Sequence, residues 1–402
     1  MTRPKPPSLV RLHQLDGLRA VACLLVMFTH AMNKPIVSGL RGWGLEYPAA
    51  IFNWIGQSGV ELFFVLSGVV LLRPYVRGVR PFRLAEYVRR RAERLFPPYL
   101  VCLLAMVPLL LIANLVPTWY SREILPPFRL RDVICQLGII NFGQVSYSAA
   151  WWSLQVEIVF YVLVPLVAYA LARAPLKWWS ALSIWIGLAV VSHLMRYHIR
   201  AGSNDQNPGT LQFFVIYSPC FFVGTCLAQL DLPRRLGYVF LALGASWVLV
   251  VPPAMAYTHF PPAYALVYAG VLVLALQPGG WFWRMLSRPL MVWIGERSYS
   301  IFLIHFSTFY ATNYLLSLFC PSRTLAYGIL SRSIGIPLAL FLAMLLFHFI
   351  ERRFARGLVS AEYFWPTSYL AAAAKSGQLT SQGDEGTIVA PAAPTTGRAR
   401  FP

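Results

Sequence analysis

Long apolar stretches follow one another along most of the chain, with short polar connections between them. Several stretches reach the roughly 17–25 residues that a helix needs to span a bilayer. Ten of them predict transmembrane helices: 18–36, 56–72, 95–116, 153–172, 178–194, 212–230, 236–253, 263–277, 298–319 and 328–350. The apolar segment 133–142 is too short to cross and predicts a re-entrant or interfacial element. The pattern predicts an all-α polytopic membrane protein, with about ten transmembrane helices around a central cavity.

The composition agrees with a membrane location. The chain is 57% hydrophobic and 12% charged, with a mean hydropathy of +0.58, whereas about 25% of residues are charged in an ordinary soluble domain. The first apolar stretch lacks a small-residue cleavage site at its end, which predicts a retained helix and not a signal peptide. Six cysteines scattered in or beside apolar segments indicate neither a metal site nor a disulfide framework.

Basic residues are concentrated in alternating connections. The densest cluster follows the second span and consists of Arg73, Arg77, Arg80, Arg83, Arg89, Arg90, Arg91 and Arg94. Because Lys- and Arg-rich connections stay in the cytoplasm, the N- and C-termini are both predicted to be cytoplasmic. The net charge of +19 then has a membrane explanation, and it does not indicate a nucleic-acid partner.

The composition also predicts the domain boundaries. Residues 1–14 form a cytoplasmic N-terminal segment, 15–355 the membrane domain, and 356–402 a cytoplasmic tail. From about residue 371 the tail consists mainly of small and polar residues and contains prolines, a composition typical of disorder. We expect no second soluble domain.

Arg19 and His30 are the first candidates for chemistry. They are eleven residues apart, so on a helix both side chains lie on one face. The two residues are then about 16 Å apart along the helix axis, which places His30 near the middle of the bilayer. His30 is either hydrogen-bonded between helices or a base or proton relay. We expect Arg19 and His30 to project into one shared water-accessible tunnel. Asp16 either caps the helix or pairs with Arg19.

The second predicted span begins with a glycine-bearing segment, 56–68, that includes Glu61 and Ser67. Glycines permit close helix approach, and tight packing also accounts for a small residue such as Ser67. The functional alternative is that Glu61 orients a basic group and that Ser67 donates a hydrogen bond.

Arg91 and Arg94 lie three residues apart, on one face of a helix start just before the third span. Anchoring at the membrane surface explains most arginines of this cluster. For these two, the alternative is a guanidinium pair that binds a phosphate-rich ligand such as a coenzyme A thioester.

The fourth span begins with Trp152 and Ser153 and carries Glu157 inside an apolar run. A carboxylate there must be compensated by the fold or be protonated. It could orient His30 or hold an arginine, and the sequence leaves both open. Trp152 alone would be an ordinary interfacial aromatic residue.

The ninth span opens with a segment that holds Tyr299 and His305. His305 is a weaker catalytic candidate than His30, because its segment carries no charged partner. Glu351 lies beside Arg352 and Arg353 at the end of the tenth span, where we expect an ordinary ion pair.

Taken together, these segments resemble the acyltransferase-3 family of bacterial integral-membrane O-acyltransferases. The resemblance covers residues 12–355 and rests on five motifs in the family's order. They are Leu15-Asp16-Gly17-Leu18-Arg19 with His30, the segment 59–68, the Arg90-Arg91 stretch up to Tyr99, Trp152-Ser153-Leu154-Gln155-Val156-Glu157, and the segment from Ser298 to His305. Two positions depart from the family pattern, since Glu61 replaces Asp and Phe302 replaces Tyr.

The resemblance implies a bacterial inner-membrane enzyme that transfers an acyl group, usually acetyl, from cytoplasmic acyl-CoA to a hydroxyl. The acceptor would be a glycan, a lipid-linked sugar or a macrolide, and no cofactor would be bound. A polysaccharide-assembly complex is a candidate partner. The predicted catalytic residues are His30, Arg19 and Glu157; the predicted substrate-binding residues are Asp16, Glu61, Ser67, Arg91, Arg94, Trp152, Ser153, Tyr299 and His305. His30 would act as general base or form an acyl-imidazole.

Two other classes of function fit parts of the pattern. A transporter or flippase for an acidic or glycolipid substrate could use the same intramembrane arginine and histidine, although we find no internal repeat of the kind many transporters have. A non-catalytic scaffold gives no account of Glu157 or His30.

Overall fold

The computed structural model of the chain describes residues 9–32, 34–45, 55–78, 81–137, 147–202, 209–250, 260–320, 324–354 and 364–366. Almost all of them are helical. The helices are α1 (His13–Ala31), α2 (Lys34–Gly42), α3 (Gly59–Val76), α4 (Leu84–Leu115), α5 (Trp119–Glu123), α6 (Leu130–Leu137), α7 (Trp152–Arg173), α8 (Trp178–Gly202), α9 (Thr210–Gln229), α10 (Arg234–Val250), α11 (Pro261–Ala275), α12 (Trp281–Leu286), α13 (Pro289–Glu296), α14 (Ser298–Ser317), α15 (Leu325–Leu346) and α16 (Arg352–Phe354). A π-helical turn, Phe347–Glu351, joins α15 to α16.

Several helices begin at residues suited to a first turn. The Thr118 hydroxyl accepts a hydrogen bond from the Ser121 amide at 3.2 Å and caps α5. Thr324 caps α15 in the same way. Pro261 starts α11, where the missing N–H of proline removes no intrahelical bond. These local signals set where the helices start.

A helix lies at each of the ten stretches predicted to span the membrane. By length and apolar composition, however, six helices of the described residues are able to cross, and a seventh span results if the bent pair α1 and α2 is one crossing. α10 and α11 are short, with 17 and 15 residues. α14 has 20 residues but places polar side chains such as Thr308 and Asn313 in the protein interior. Part of the predicted segment 133–142 is α6, and its remainder lies outside the described residues.

Close packing joins α3 and α9, which run parallel. A Cβ atom added to Gly68 would lie 2.5 Å from the carbonyl oxygen of Phe221, and one added to Gly224 would lie 2.1 Å from that of Val65. Further along the pair, the Arg73 guanidinium donates to Asp231 at 3.0 Å. The close helix approach expected of the glycines in 56–68 is confirmed at Gly68.

α1, α4 and α14 also run parallel to one another. Cys23 of α1 contacts the Ser298 carbonyl at the start of α14, and further along these two helices His30 contacts His305. The Tyr299 hydroxyl donates to the Leu95 carbonyl of α4 at 2.9 Å. The starts of these three helices therefore lie at one end of the molecule.

Two short strands modify the all-α expectation. Leu9–Arg11 pairs antiparallel with Phe364–Pro366. The chain just before α1 therefore meets the chain that follows α16, so both lie at the same end of the molecule. The rest of the predicted tail, including its disorder from about residue 371, lies outside the described residues.

The Gly68 contact yields a stability prediction. In Gly68→Ala the added methyl meets the backbone of α9, and overpacking of this kind costs about 1–3 kcal/mol. We expect a lower apparent unfolding temperature of the purified protein in detergent. Gly187→Ala is the matched control, because nothing lies within 4 Å of a Cβ atom there. Equal unfolding temperatures for the two variants would contradict the packing of α3 on α9.

Candidate active site

A first cavity lies among α1, α3, α4, α7 and α14 and has an empty volume of about 690 Å³, counted with the space open to solvent. Predicted site residues make up much of its wall: Arg19, Ser67, Arg91, Arg94, Ser153, Glu157 and Tyr299. Aromatic and aliphatic side chains, including Phe63, Phe64 and Phe302, complete it. The fold thus brings together seven of the twelve predicted residues, from five separate helices.

Glu157 is held by two hydroxyl groups. Its Oε1 atom accepts hydrogen bonds from the Ser67 hydroxyl at 3.0 Å and from the Tyr161 hydroxyl at 2.7 Å. Tyr161 lies one helical turn further along α7, so it reaches the carboxylate within the same helix face. The compensation that the sequence required therefore comes from hydroxyl donors, in a cavity shared with arginines. Glu157 does not lie at His30.

Arg91 and Arg94 share one face of α4, as their spacing predicted. The Arg91 guanidinium is buried between two aromatic rings, 5.6 Å from the centroid of Tyr87 and 5.6 Å from that of Tyr161. Cation–π contact of this kind stabilises a desolvated guanidinium. The neighbouring Arg90 instead forms an ion pair with Glu86 on its own helix. Arg91 and Arg94 therefore face the cavity, whereas Arg90 lies outside it.

Glu351 corrects an expectation. Instead of pairing with Arg352 and Arg353 at the edge of the membrane, its side chain is only 3% exposed and accepts a hydrogen bond from the Ser300 hydroxyl at 2.5 Å. The π-helical turn Phe347–Glu351 adds a residue to the last turn of the span and directs Glu351 inward. There it interacts electrostatically with Arg94 and Arg19.

The second cavity lies beside the far end of α1 and has a volume of about 850 Å³. His30 lines it with Arg332 and with several aromatic and amide side chains. These are Trp119, Tyr120, Phe306, Phe309, Tyr310, Tyr327 and Asn313. Sequence reasoning missed Arg332, although an arginine inside the predicted span 328–350 was a signal of an intramembrane charge.

His30 and His305 form a directed pair. The Nδ1 atom of His305 lies 3.0 Å from the carbonyl oxygen of Ile301, one turn earlier on α14. Since a carbonyl only accepts, Nδ1 of His305 carries the proton and its Nε2 atom is the acceptor. His30 Nδ1, 2.9 Å from that Nε2 atom, must then donate. The proton on Nδ1 leaves Nε2 of His30 as the basic atom of this imidazole.

The sequence predicts one tunnel for Arg19 and His30, whereas in the described part of the chain these two residues line different cavities. Side chains of α14 lie next to both cavities. Phe302 lines the first cavity and Phe306 the second. His305, only 1% exposed, contacts both rings, with centroids 6.0 and 6.2 Å away. We call Phe302, His305 and Phe306 the partition.

Besides His305 of the partition, three predicted substrate-binding residues line neither cavity. Asp16 is fully buried at the crossing of α1 and α13, where Gly295 approaches its backbone. Glu61 faces α9 and α11 and interacts electrostatically with tyrosines such as Tyr217 of α9. Trp152 stacks on Phe213 of α9, with ring centroids 4.8 Å apart. Their binding roles stay predictions.

The inward orientation of Glu351 is testable by thiol labelling. In a protein whose six native cysteines are replaced by serine, we expect Glu351→Cys to react slowly with a membrane-impermeant maleimide, because position 351 is buried. Arg353→Cys, two residues further along and exposed, is the matched control and should react rapidly. Equal labelling rates would contradict the inward turn of Glu351.

Comparison with known proteins places this arrangement in a family. The acyltransferase-3 family model, described as an acyltransferase domain, matches residues 12–352. "Putative O-acetyltransferase SAR0937" of Staphylococcus aureus strain MRSA252 is 26% identical over 389 residues, which cover 89% of this chain and 59% of that protein. "O-acetyltransferase OatA" of S. aureus strain NCTC 8325 is 25% identical over 318 residues, covering 73% of this chain and 49% of that protein.

The chain thus spans less than two thirds of the length of these relatives. A comparison with the solved structures found no match. The family match covers both cavities and the partition between them, and the chain belongs to the acyltransferase-3 family.

Proposed function

We propose that the protein is a bacterial inner-membrane O-acyltransferase that moves an acetyl group from cytoplasmic acetyl-CoA to a hydroxyl of a carbohydrate acceptor. The observation that carries this proposal is the directed pair of His30 and His305. It leaves a basic nitrogen on His30, and His30 lines a cavity next to an arginine-lined one. The family match supports acyl transfer, and the names of the relatives support acetyl as the group.

The donor fits the first cavity. Arg19, Arg91 and Arg94 line it together with Glu157, the one carboxylate among the described lining residues, so the guanidinium groups favour an anionic ligand. Phosphate oxygens of coenzyme A suit planar guanidinium groups, which can donate two parallel hydrogen bonds. In this proposal Arg91 and Arg94 hold the phosphates, and Arg19, deeper along α1, steadies the thioester arm.

The acceptor fits the second cavity. Its lining includes the Asn313 amide and six aromatic side chains, Trp119, Tyr120, Phe306, Phe309, Tyr310 and Tyr327. Aromatic faces pack against the apolar face of a sugar ring, while phenol and amide groups hydrogen-bond its hydroxyls. This mixture supports a carbohydrate acceptor.

The chemistry proceeds at His30. Nε2 takes the proton of the acceptor hydroxyl, the oxygen attacks the thioester carbonyl, and the C–S bond breaks as the ester forms. The imidazolium then returns its proton to the coenzyme A thiolate. His305 holds the Nδ1 proton throughout, as a positioning residue. Attack by the same Nε2 atom on the thioester, forming an acyl-imidazole, remains the alternative route.

Only the acyl end of the donor has to pass the partition in this scheme. Phe302 lies at the inner end of the first cavity and contacts His305, which contacts His30. The nucleotide end of the donor stays with the arginines of the first cavity while the thioester reaches His30.

The proposal includes ten spans with both termini in the cytoplasm. The pairing of Leu9–Arg11 with Phe364–Pro366 supports an even number of crossings between them. In this topology α1, α4 and α14 are the first, third and ninth crossings. Odd-numbered crossings run in the same direction, as these three helices do. The basic connections then fall on the side of the first cavity.

Removal of His30 tests the reaction. We expect His30→Ala to lower acetylation of surface glycans by about 10²–10⁴-fold, the contribution typical of a general base. Arg19→Lys should also lower it, because an ammonium lacks the guanidinium fork. Mass spectrometry of glycans from cells that express each variant at equal membrane levels measures the loss of one acetyl mass per unit.

His348→Ala is the control, since His348 is exposed and lines neither cavity. It should acetylate as the wild type does. Full acetylation by His30→Ala would remove the catalytic role of His30. Unchanged glycan masses in the wild type, with movement of a substrate across the membrane, would instead support a transporter.

A further inference from the structure

Arg332 brings a positive charge to the cavity that His30 lines. It lies on α15, inside the predicted span 328–350, and its side chain is only 8% exposed. Its Nε atom donates to the carbonyl oxygen of Ala31 at 2.9 Å, directly after His30 in the chain. The guanidinium therefore sits within one residue of the proposed base.

The rest of the guanidinium is fixed but not satisfied. Its central carbon lies 4.3 Å from the centroid of the Phe309 ring, so one face packs on an aromatic side chain. The Nη1 atom is buried and has no hydrogen-bond partner among the described residues. A buried charged group is costly to leave unpaired, and the Arg332 side chain lines the cavity. An anion in the cavity beside this guanidinium would offset its charge.

The charge of Arg332 also lacks an acidic counterpart. Among the described residues that line the second cavity there is no Asp or Glu, and the groups that favour its charged form are the phenols of Tyr120 and Tyr327. The buried Arg73, by contrast, has Asp231. The second cavity therefore holds an excess positive charge.

We propose that Arg332 binds an anionic group of the acceptor, a carboxylate or a phosphate. This inference rests on the proposed function and narrows its substrate to an acidic carbohydrate. The anion pairs with the Arg332 guanidinium, the sugar ring packs among the aromatic side chains, and a hydroxyl reaches His30. Because Arg332 bonds to the residue after His30, the anion and the acetylated hydroxyl belong to the same or an adjoining sugar unit.

Selective removal of the anion tests the inference. The full-length protein in lipid nanodiscs receives radiolabelled acetyl-CoA and a glycan extract from the cells that produce it. One portion of the extract is carboxyl-reduced with carbodiimide and borohydride, and another is dephosphorylated. We expect acetyl incorporation to fall about tenfold or more in one of these portions, since a charged hydrogen bond is lost. A fall with the carboxyl-reduced portion identifies the anion as a carboxylate, and a fall with the dephosphorylated portion identifies it as a phosphate.

The matched variants separate recognition from structure. With the untreated extract, acetyl incorporation by Arg332→Gln should be about tenfold or more below that of the wild type. With the neutralised extract, incorporation by this variant should fall no further. Arg122→Gln removes an exposed guanidinium that lines neither cavity and should behave as the wild type. The comparison of extracts needs only the wild-type protein, so it stays decisive if Arg332→Gln fails to fold.

Three results would contradict the proposed anion site. Equal acetylation of all three extracts by the wild type overturns the anion site while leaving acetyl transfer intact. If Arg332→Gln is weaker than the wild type by the same factor on the untreated and on the neutralised extract, the guanidinium serves the fold or the reaction, and the anion site is also overturned. No incorporation into any extract by the wild type contradicts the proposed function itself, and the anion site falls with it.

Discussion

The hydrogen bond between His30 and His305 is the interaction on which the rest of the site depends. It joins two parallel helices deep in the molecule, and the bond from His305 to the Ile301 carbonyl gives it a direction. An imidazole that donates from Nδ1 has its basic Nε2 atom available on the other side of the ring. The helix pair therefore sets both the position and the protonation of the group that faces the second cavity.

The two cavities differ in how they balance charge. In the first, the arginines share their surroundings with Glu157, which two hydroxyls hold, and with Glu351, which the π-helical turn directs inward. In the second, Arg332 has no acidic neighbour among the described lining residues. Both cavities therefore keep an excess of positive charge, which favours an anionic donor in the first and an acceptor with its own negative charge in the second.

Helical periodicity predicted the parts of the site that lie within one helix. Arg19 and His30 do face the same neighbour, α14, but the spacing could not show that Phe302 and its neighbours on α14 divide the space between them. The inward turn of Glu351 depends on an extra residue in one turn, which composition does not signal. Glu61 was placed on the correct helix, yet its face meets α9 and α11, a choice that tertiary packing makes.

The sidedness of the reaction tests the central claim most directly. Proteoliposomes with the protein inserted in one orientation receive membrane-impermeant acetyl-CoA on one side and a membrane-impermeant glycan acceptor on the other. The two-cavity account predicts acetylated glycan only when acetyl-CoA is on the side of Arg91 and Arg94 and the glycan is opposite. Product formed when donor and acceptor are both confined to the same side would contradict it.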